Sequence, residues 1–158
     1  MTHIFDAPDL SATTVFGRRL AGLLFPGAVV ALVGQLGAGK TLLVRAIAGG
    51  LDVVDSRAVS SPTFVLIQEY DARLPIYHFD AYRLKDARDF AALGVDEYFA
   101  ADGVCLIEWA DRVAPSLPAQ LLRITIAITG ETSRRFTVEG CGARYERIVH
   151  QLQAAPGT

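Results

Sequence analysis

Cysteine is scarce in this chain: Cys105 and Cys141 are the only two in 158 residues. Cys105 lies inside an apolar run and Cys141 between two glycines, so neither has metal-ligand spacing. Two thiols are also too few for a disulfide scaffold. They read as reduced thiols of a cytosolic protein. Positive charge is not in surplus either. Lysine and arginine number 15 against 17 acids, for a formal net charge of -2. That excludes a broad basic surface that would hold nucleic acid by charge alone. It leaves room for a local patch, or for a partner that holds the nucleic acid. No apolar run is long enough to cross a membrane. The opening MTHIFDAPDL carries acids where a signal peptide needs cations and then an apolar stretch. Internal repeats, linkers and low-complexity segments are absent, and tryptophan occurs once, at Trp109.

What is present suits a compact core. The chain is 51% hydrophobic and 20% charged, a balance typical of folded rather than disordered sequences. Its length predicts one domain spanning residues 1–158. Apolar positions Val15, Phe16, Leu20, Leu23 and Leu24 recur at helical spacing, and Ser11 is a candidate cap, which predicts a helix over 11–24. Ala28 to Val33 is an unbroken, β-branched-rich run, as a central parallel strand covered on both faces requires. A glycine-rich turn follows, then a helix through Lys40 to Ile47 that Gly49 and Gly50 end. Residues 52–62 read as a loop, 64–70 and 74–79 as two strands joined by a short turn. Helices are expected over 85–93 and 96–101, and a strand over 103–108. Leu122, Ile124, Ile126 and Ile128 alternate with Arg123, Thr125, Ala127 and Thr129, a strand with one buried face. Phe136 to Val138 runs back after a turn, so an antiparallel hairpin at a sheet edge is expected, followed by a closing helix over 143–153. Strand and helix alternate as in an α/β sandwich with a mixed sheet.

Between the first core strand and its helix lies Gly34-Gln35-Leu36-Gly37-Ala38-Gly39-Lys40-Thr41. This is G-x-x-x-x-G-K-[ST] in full, in the required context of strand, loop and helix. The glycines let the backbone curl so that consecutive N–H groups point at phosphate oxygens, and the helix adds its N-terminal dipole. Lys40 can reach the outer phosphates, and the Thr41 hydroxyl can ligate Mg²⁺.

A nucleotide phosphate with Mg²⁺ would explain why two apolar runs end on acids. Pro75 to Phe79 is followed by Asp80, and Val104 to Ile107 by Glu108. A buried charge needs a partner or a metal. P-loop enzymes hold the ion between the loop hydroxyl and an acid at the tip of a neighbouring strand. The run before Glu108 is the more purely apolar, so Glu108 is the favoured metal-side acid, directly or through a water. Asp80 then either supports the Mg²⁺ or orients the attacking water; the competing reading is an ion pair with Arg83 or a helix cap. Ser61-Pro62-Thr63 lies where nucleotide switches place a threonine that senses the γ-phosphate, and a plain turn fits the position equally. Trp109 follows Glu108, though a lone tryptophan is more often a core or rim aromatic. His78 sits inside a strand pattern and reads as structural. Arg134 and Arg135 have two readings, contact with a base or an acidic partner, or a solvated face.

GQLGAGKT, SPTF, HFDAYRL and IEWADR, in that order and in a chain of this length, resemble the TsaE (YjeE) family. The resemblance runs from about Thr13 to the C-terminal hairpin. The P-loop is shared by many families; its combination with the other three motifs is far more specific. The resemblance implies a P-loop NTPase three-layer sandwich with a mixed sheet, and ATP with Mg²⁺ as ligand. It implies TsaD and TsaB as partners, which transfer threonylcarbamoyl to a tRNA adenosine next to the anticodon. The TsaE protein does not make that transfer; by resemblance it hydrolyses ATP to reset or activate the pair between turnovers. Carried over by motif, Gly37, Ala38, Gly39, Lys40 and Thr41 bind phosphate, with Gly34 opening and Leu42 following the loop. Thr41 and Glu108 hold the metal, and Asp80 lies in an acidic motif needed for turnover. Thr63 sits in the switch-like segment, Thr13 near the adenine, and Trp109 in the nucleotide site. The expected catalytic set is Lys40, Asp80 and Glu108, and the expected metal set Thr41, Glu108 and Asp80. Two positions depart from the family pattern, Gln35 for an acid and Leu42 for a hydroxyl residue. A small nucleotide or metabolite kinase is the competing enzyme class, and a nucleotide-dependent binding switch with little turnover the third reading.

Overall fold

The computed structural model describes residues 1–60 and 66–154. The described chain runs β1 (Thr2–Ala7), α1 (Leu10–Ala21), β2 (Val29–Gly34), α2 (Lys40–Gly50), β3 (Ile67–Tyr70), β4 (Ile76–Asp80), α3 (Ala87–Ala91), α4 (Val95–Phe99), β5 (Val104–Glu108), β6 (Leu121–Ile128), β7 (Arg134–Cys141) and α5 (Ala143–Ala154). Short 3-10 segments cover Ser56–Ala58 and Ala110–Ser116.

The strands form one seven-stranded sheet in the order β1-β7-β6-β2-β5-β4-β3. At its centre β6, β2, β5 and β4 run parallel, and β1, β7 and β3 pair antiparallel with their neighbours. Alternation along each central strand feeds two cores. Val30, Leu32 and Leu106 pack under α1, α2 and α5, with Phe16, Leu20, Leu43, Ile47 and Val149. Val29, Ala31 and Ile107 pack on the opposite face, with Phe90, Val95 and Val113. The result is the mixed three-layer α/β sandwich that alternating strands and helices predict.

Several boundaries differ from the sequence reading, each for a local reason. Helix α1 begins earlier, because Asp9 rather than Ser11 is its cap: the Asp9 carboxylate accepts from the Ala12 amide at 2.8 Å. It ends at Ala21, and Leu23 and Leu24 follow in a turn whose amides still reach Leu20 and Ala21. Helix α2 carries Gly49 and Gly50 inside its last turn, and Leu51 caps it. Asp86 caps α3, accepting from the amides of Arg88 and Asp89. The hairpin of β6 and β7 is not at the sheet edge. Strand β1, whose signal is a short alternation among acids, pairs with the outer side of β7 from Thr2↔Glu139 to Ala7↔Arg134. The stretch 61–65, with Thr63, lies outside the described residues.

Helices α1 and α2 pack in parallel. A side chain on Gly17 would point at Ala46, and one on Gly50 at Ala21, so both residues advance together along the two helices.

Candidate functional site

Each glycine-loop residue is placed by the end of β2 and the start of α2. Gly39 caps α2 with φ 103°, and Gly37 has φ 81°. Both lie in the left-handed region that glycine enters without steric cost. The loop curls back until the Lys40 ammonium donates to the carbonyls of Gly34 at 2.7 Å and Gln35 at 2.9 Å. The same ammonium lies 3.9 Å above the Trp109 ring, within the range of a cation–π contact. Burial holds the Lys40 pKa below the usual lysine value, against the opposing pull of Glu108, Asp111 and Asp80.

Strands β4 and β5 are neighbours, and their register sets Asp80 directly beside Glu108. Both carboxylates are buried, as is His78. The Thr41 hydroxyl, on the first turn of α2, lies 3.1 Å from each Glu108 oxygen. His78 Nε2 lies 2.6 Å from Glu108 Oε2. The Asp80 carboxylate accepts from the Tyr82 amide at 2.8 Å. Trp109, which follows Glu108 in the chain, has φ 58°. A bulky residue there is a genuine conformational outlier, of a kind that clusters at functional sites. Its ring packs on Tyr82 at 4.9 Å between centroids, and Arg112 lies over the Tyr82 ring at 5.2 Å.

Lys40, Thr41, Asp80, Tyr82, Glu108 and Trp109 meet in one cleft of about 470 Å³. Its walls are Leu36, Gly37, Gly39, Lys40, Thr41, Leu42, Asp80, Tyr82, Glu108 and Trp109. Gly34 and Ala38 stand behind it: Gly34 supplies a carbonyl to Lys40, and the Ala38 amide donates to the Gln35 carbonyl at 3.0 Å. Thr13 does not line the cleft. It is buried on α1, and its hydroxyl has no hydrogen-bond partner among the described residues. Leu42, one of the two departures in the loop motif, is at the wall; Gln35 is turned to a second cavity on the far side of Trp109.

Sequence reasoning missed three contributors. His78 read as structural, and it is buried against Glu108. Period-2 alternation places His78 and Asp80 on one face of β4, which was the available signal. Tyr82 is part of the cleft wall and stacks on Trp109. Arg134 binds the glycine loop itself, with Nε donating to the Ala38 carbonyl at 2.9 Å. Arg135 turns elsewhere and pairs with Asp6 at 2.7 Å.

The donor set suits Mg²⁺ held jointly with phosphate. No group of three or more His, Cys, Asp or Glu side chains able to hold a metal occurs among the described residues. Mg²⁺ dehydrates reluctantly and is usually bound through one or two protein groups, several waters and substrate phosphates. One hydroxyl and one buried carboxylate, already touching, match that demand.

The fold and this loop define an α/β protein of the P-loop class. A narrower assignment follows from known proteins. Residues 7–136 match the family model described as "Threonylcarbamoyl adenosine biosynthesis protein TsaE". The chain is 43% identical over 141 residues to the tRNA threonylcarbamoyladenosine biosynthesis protein TsaE of Bacillus subtilis, spanning 89% of this chain and 87% of the relative. It is 42% identical to the protein of that name from Treponema pallidum, over 80% of this chain and 92% of the relative. It also superposes on the crystal structure of Bacillus subtilis YdiB with a TM-score of 0.84 at 36% identity, covering 97% of this chain and 95% of that one. The chain belongs to the TsaE family. No helix among the described residues is long and apolar enough to cross a membrane.

Proposed function

We propose that this chain is a cytoplasmic, Mg²⁺-dependent ATPase that serves threonylcarbamoyladenosine modification of tRNA by acting on TsaB and TsaD. It does not perform the transfer. The observation that carries the reading is the Thr41–Glu108 contact: a loop hydroxyl and a buried carboxylate meet at 3.1 Å beside Lys40. That pairing is the one in which P-loop enzymes hold their metal.

In this reading the amides of Gly37 to Thr41 and the start of α2 cradle the phosphates. Lys40 exchanges its contacts with the Gly34 and Gln35 carbonyls for contacts with outer phosphate oxygens, and Trp109 closes over that end. Thr41 and Glu108 hold the Mg²⁺, which supplies charge neutralisation at the phosphates. Asp80, next to Glu108 in the sheet, either supports that ion or orients the attacking water. Thr13, buried on α1 and outside the cleft wall, keeps its place near the adenine from motif alone. Thr63 keeps its assignment to a switch-like segment from motif alone. The names of the relatives support the tRNA pathway, and the near-neutral charge supports partners that hold the RNA.

The test is ATP hydrolysis by the purified chain, alone and with TsaB and TsaD from the same cell. A low rate that rises with the partners is expected. If the partners change nothing while a small acceptor becomes phosphorylated, the chain is a metabolite kinase and Asp80 its candidate base.

A further inference from the structure

Arg134 opens β7 directly after the hairpin turn, and its side chain runs back across the glycine loop. Nε donates to the Ala38 carbonyl at 2.9 Å, and Nη2 reaches the Gly37 carbonyl at 3.4 Å. On its other side Nη1 donates to the carbonyls of Ser133 at 2.7 Å and Gly130 at 3.0 Å, and approaches that of Glu131 at 3.5 Å. One planar fork therefore ties the hairpin turn to the loop. A lysine, with a point charge on a flexible stem, could not span both sides. Arg134 is not part of the cleft wall, and its contacts are with the loop and the hairpin turn.

The peptide geometry says what that is. In a trans peptide the C=O and the following N–H point in opposite directions. With the Gly37 and Ala38 carbonyls drawn outward to Arg134, the Ala38 amide stays on the Gln35 carbonyl and the Gly39 amide turns toward the concave side. Gly37 and Gly39 are the residues with most backbone freedom to lose, so a loop built on them is costly to order at the moment of binding. A clamp outside the loop meets that cost beforehand. We infer that Arg134 is a positioning residue: from the β6–β7 hairpin it fixes the loop peptides from Gly37 to Gly39, with the Gly39 amide facing the cleft, ahead of the polyphosphate. The inference rests on the nucleotide-binding reading above and adds a residue outside the loop motif to that site.

Arg135 is a matched control, since it is the adjacent cation and pairs with Asp6 on β1 instead. The experiment compares the full chain with Arg134→Gln, Arg134→Lys and Arg135→Gln. Two quantities are read: amide hydrogen exchange at Ala38 and Gly39 without nucleotide, and dissociation constants for ADP and ATP with Mg²⁺. Both Arg134 variants should exchange these amides about tenfold faster and bind nucleotide about tenfold more weakly, as loss of preorganisation requires. Their melting temperatures should match that of Arg135→Gln, which binds as the wild type does. Wild-type exchange and affinity in Arg134→Gln overturn the clamp. Wild-type behaviour in Arg134→Lys also overturns it, because charge alone would then suffice. Weaker binding that tracks a lowered melting temperature reduces Arg134 to a structural residue. If the wild type binds neither nucleotide, the nucleotide reading fails on its own, and the exchange rates decide whether Arg134 orders the loop.

Discussion

Replacing Glu108 by Gln separates a metal-site role from a structural one. The side chain is 3% exposed and touches Thr41 and His78. Glutamine keeps its size and one acceptor oxygen but loses the charge. On stability, two effects oppose each other. The charge-assisted contact with His78 weakens, worth about 1.5–3 kcal/mol. The cost of holding an ionised carboxylate away from water disappears, and for buried ionic groups that relief can equal or exceed the loss. The net change should stay within about 2 kcal/mol, which for a chain of this length is less than about 8 °C in melting temperature. On turnover the effect is one-sided. Loosening the ion that would neutralise the developing phosphate charge costs about 10²–10³-fold. Binding supplies the sharpest sign test. Without Mg²⁺ the native carboxylate repels polyphosphate, so Glu108→Gln should bind ADP no more weakly than the wild type. With Mg²⁺ it should bind ADP more weakly, and titrations at both metal conditions read this directly. Native turnover in the variant, or the same Mg²⁺ enhancement of binding in both proteins, would refute the metal-side assignment. If Glu108→Ala fails to fold at all, the strand end is structural.

Other residues give independent checks. Thr41→Ala should weaken ADP binding about tenfold with Mg²⁺, the scale of one lost ligand contact, and change it little without; an unchanged affinity with Mg²⁺ would remove Thr41 from the metal site. Gly17→Ala puts a Cβ 2.5 Å from that of Ala46. Overpacking of about 1–3 kcal/mol exceeds the gain of about 1 kcal/mol in helix propensity, so the melting temperature should fall; a rise would refute close packing of α1 on α2. Burial pushes the Cys105 thiol up to about 12 from 9.0. In native protein near neutral pH a thiol reagent should therefore spare Cys105 and modify both cysteines only after denaturation. The pH dependence has a definite sign. Above about 9 the unfolded chain releases the Cys105 proton that the folded chain retains, so stability falls as pH rises. Melting curves should show a shallower alkaline decline in Cys105→Ala, and an equal decline would contradict the assignment.

Much of the site was legible because its signals are local. The loop motif, the apolar run of β2 and the helix after it specify one another within some twenty residues, a spacing the P-loop itself demands. Glu108 was legible as a buried strand end because its run is wholly apolar, and β5 is indeed buried throughout. What was not legible depended on partners remote in the chain. His78 and Glu108 meet only because β4 and β5 pair in one register. The contact from Arg134 to Ala38 joins residues 96 positions apart, and no periodicity announces it. Strand β1 has too short and polar an alternation to declare itself, and its pairing with β7 moves the hairpin away from the edge.

The sequence by itself determined the α/β class, the glycine-loop motif and the two acids that end strands, because hydrophobic period and glycine conformation act over a few residues. The tertiary structure alone decided which groups share a site: Thr41 with Glu108, Glu108 with His78, and Arg134 with the loop. Strand order and register bring such residues together, and these are set by how whole faces bury against one another.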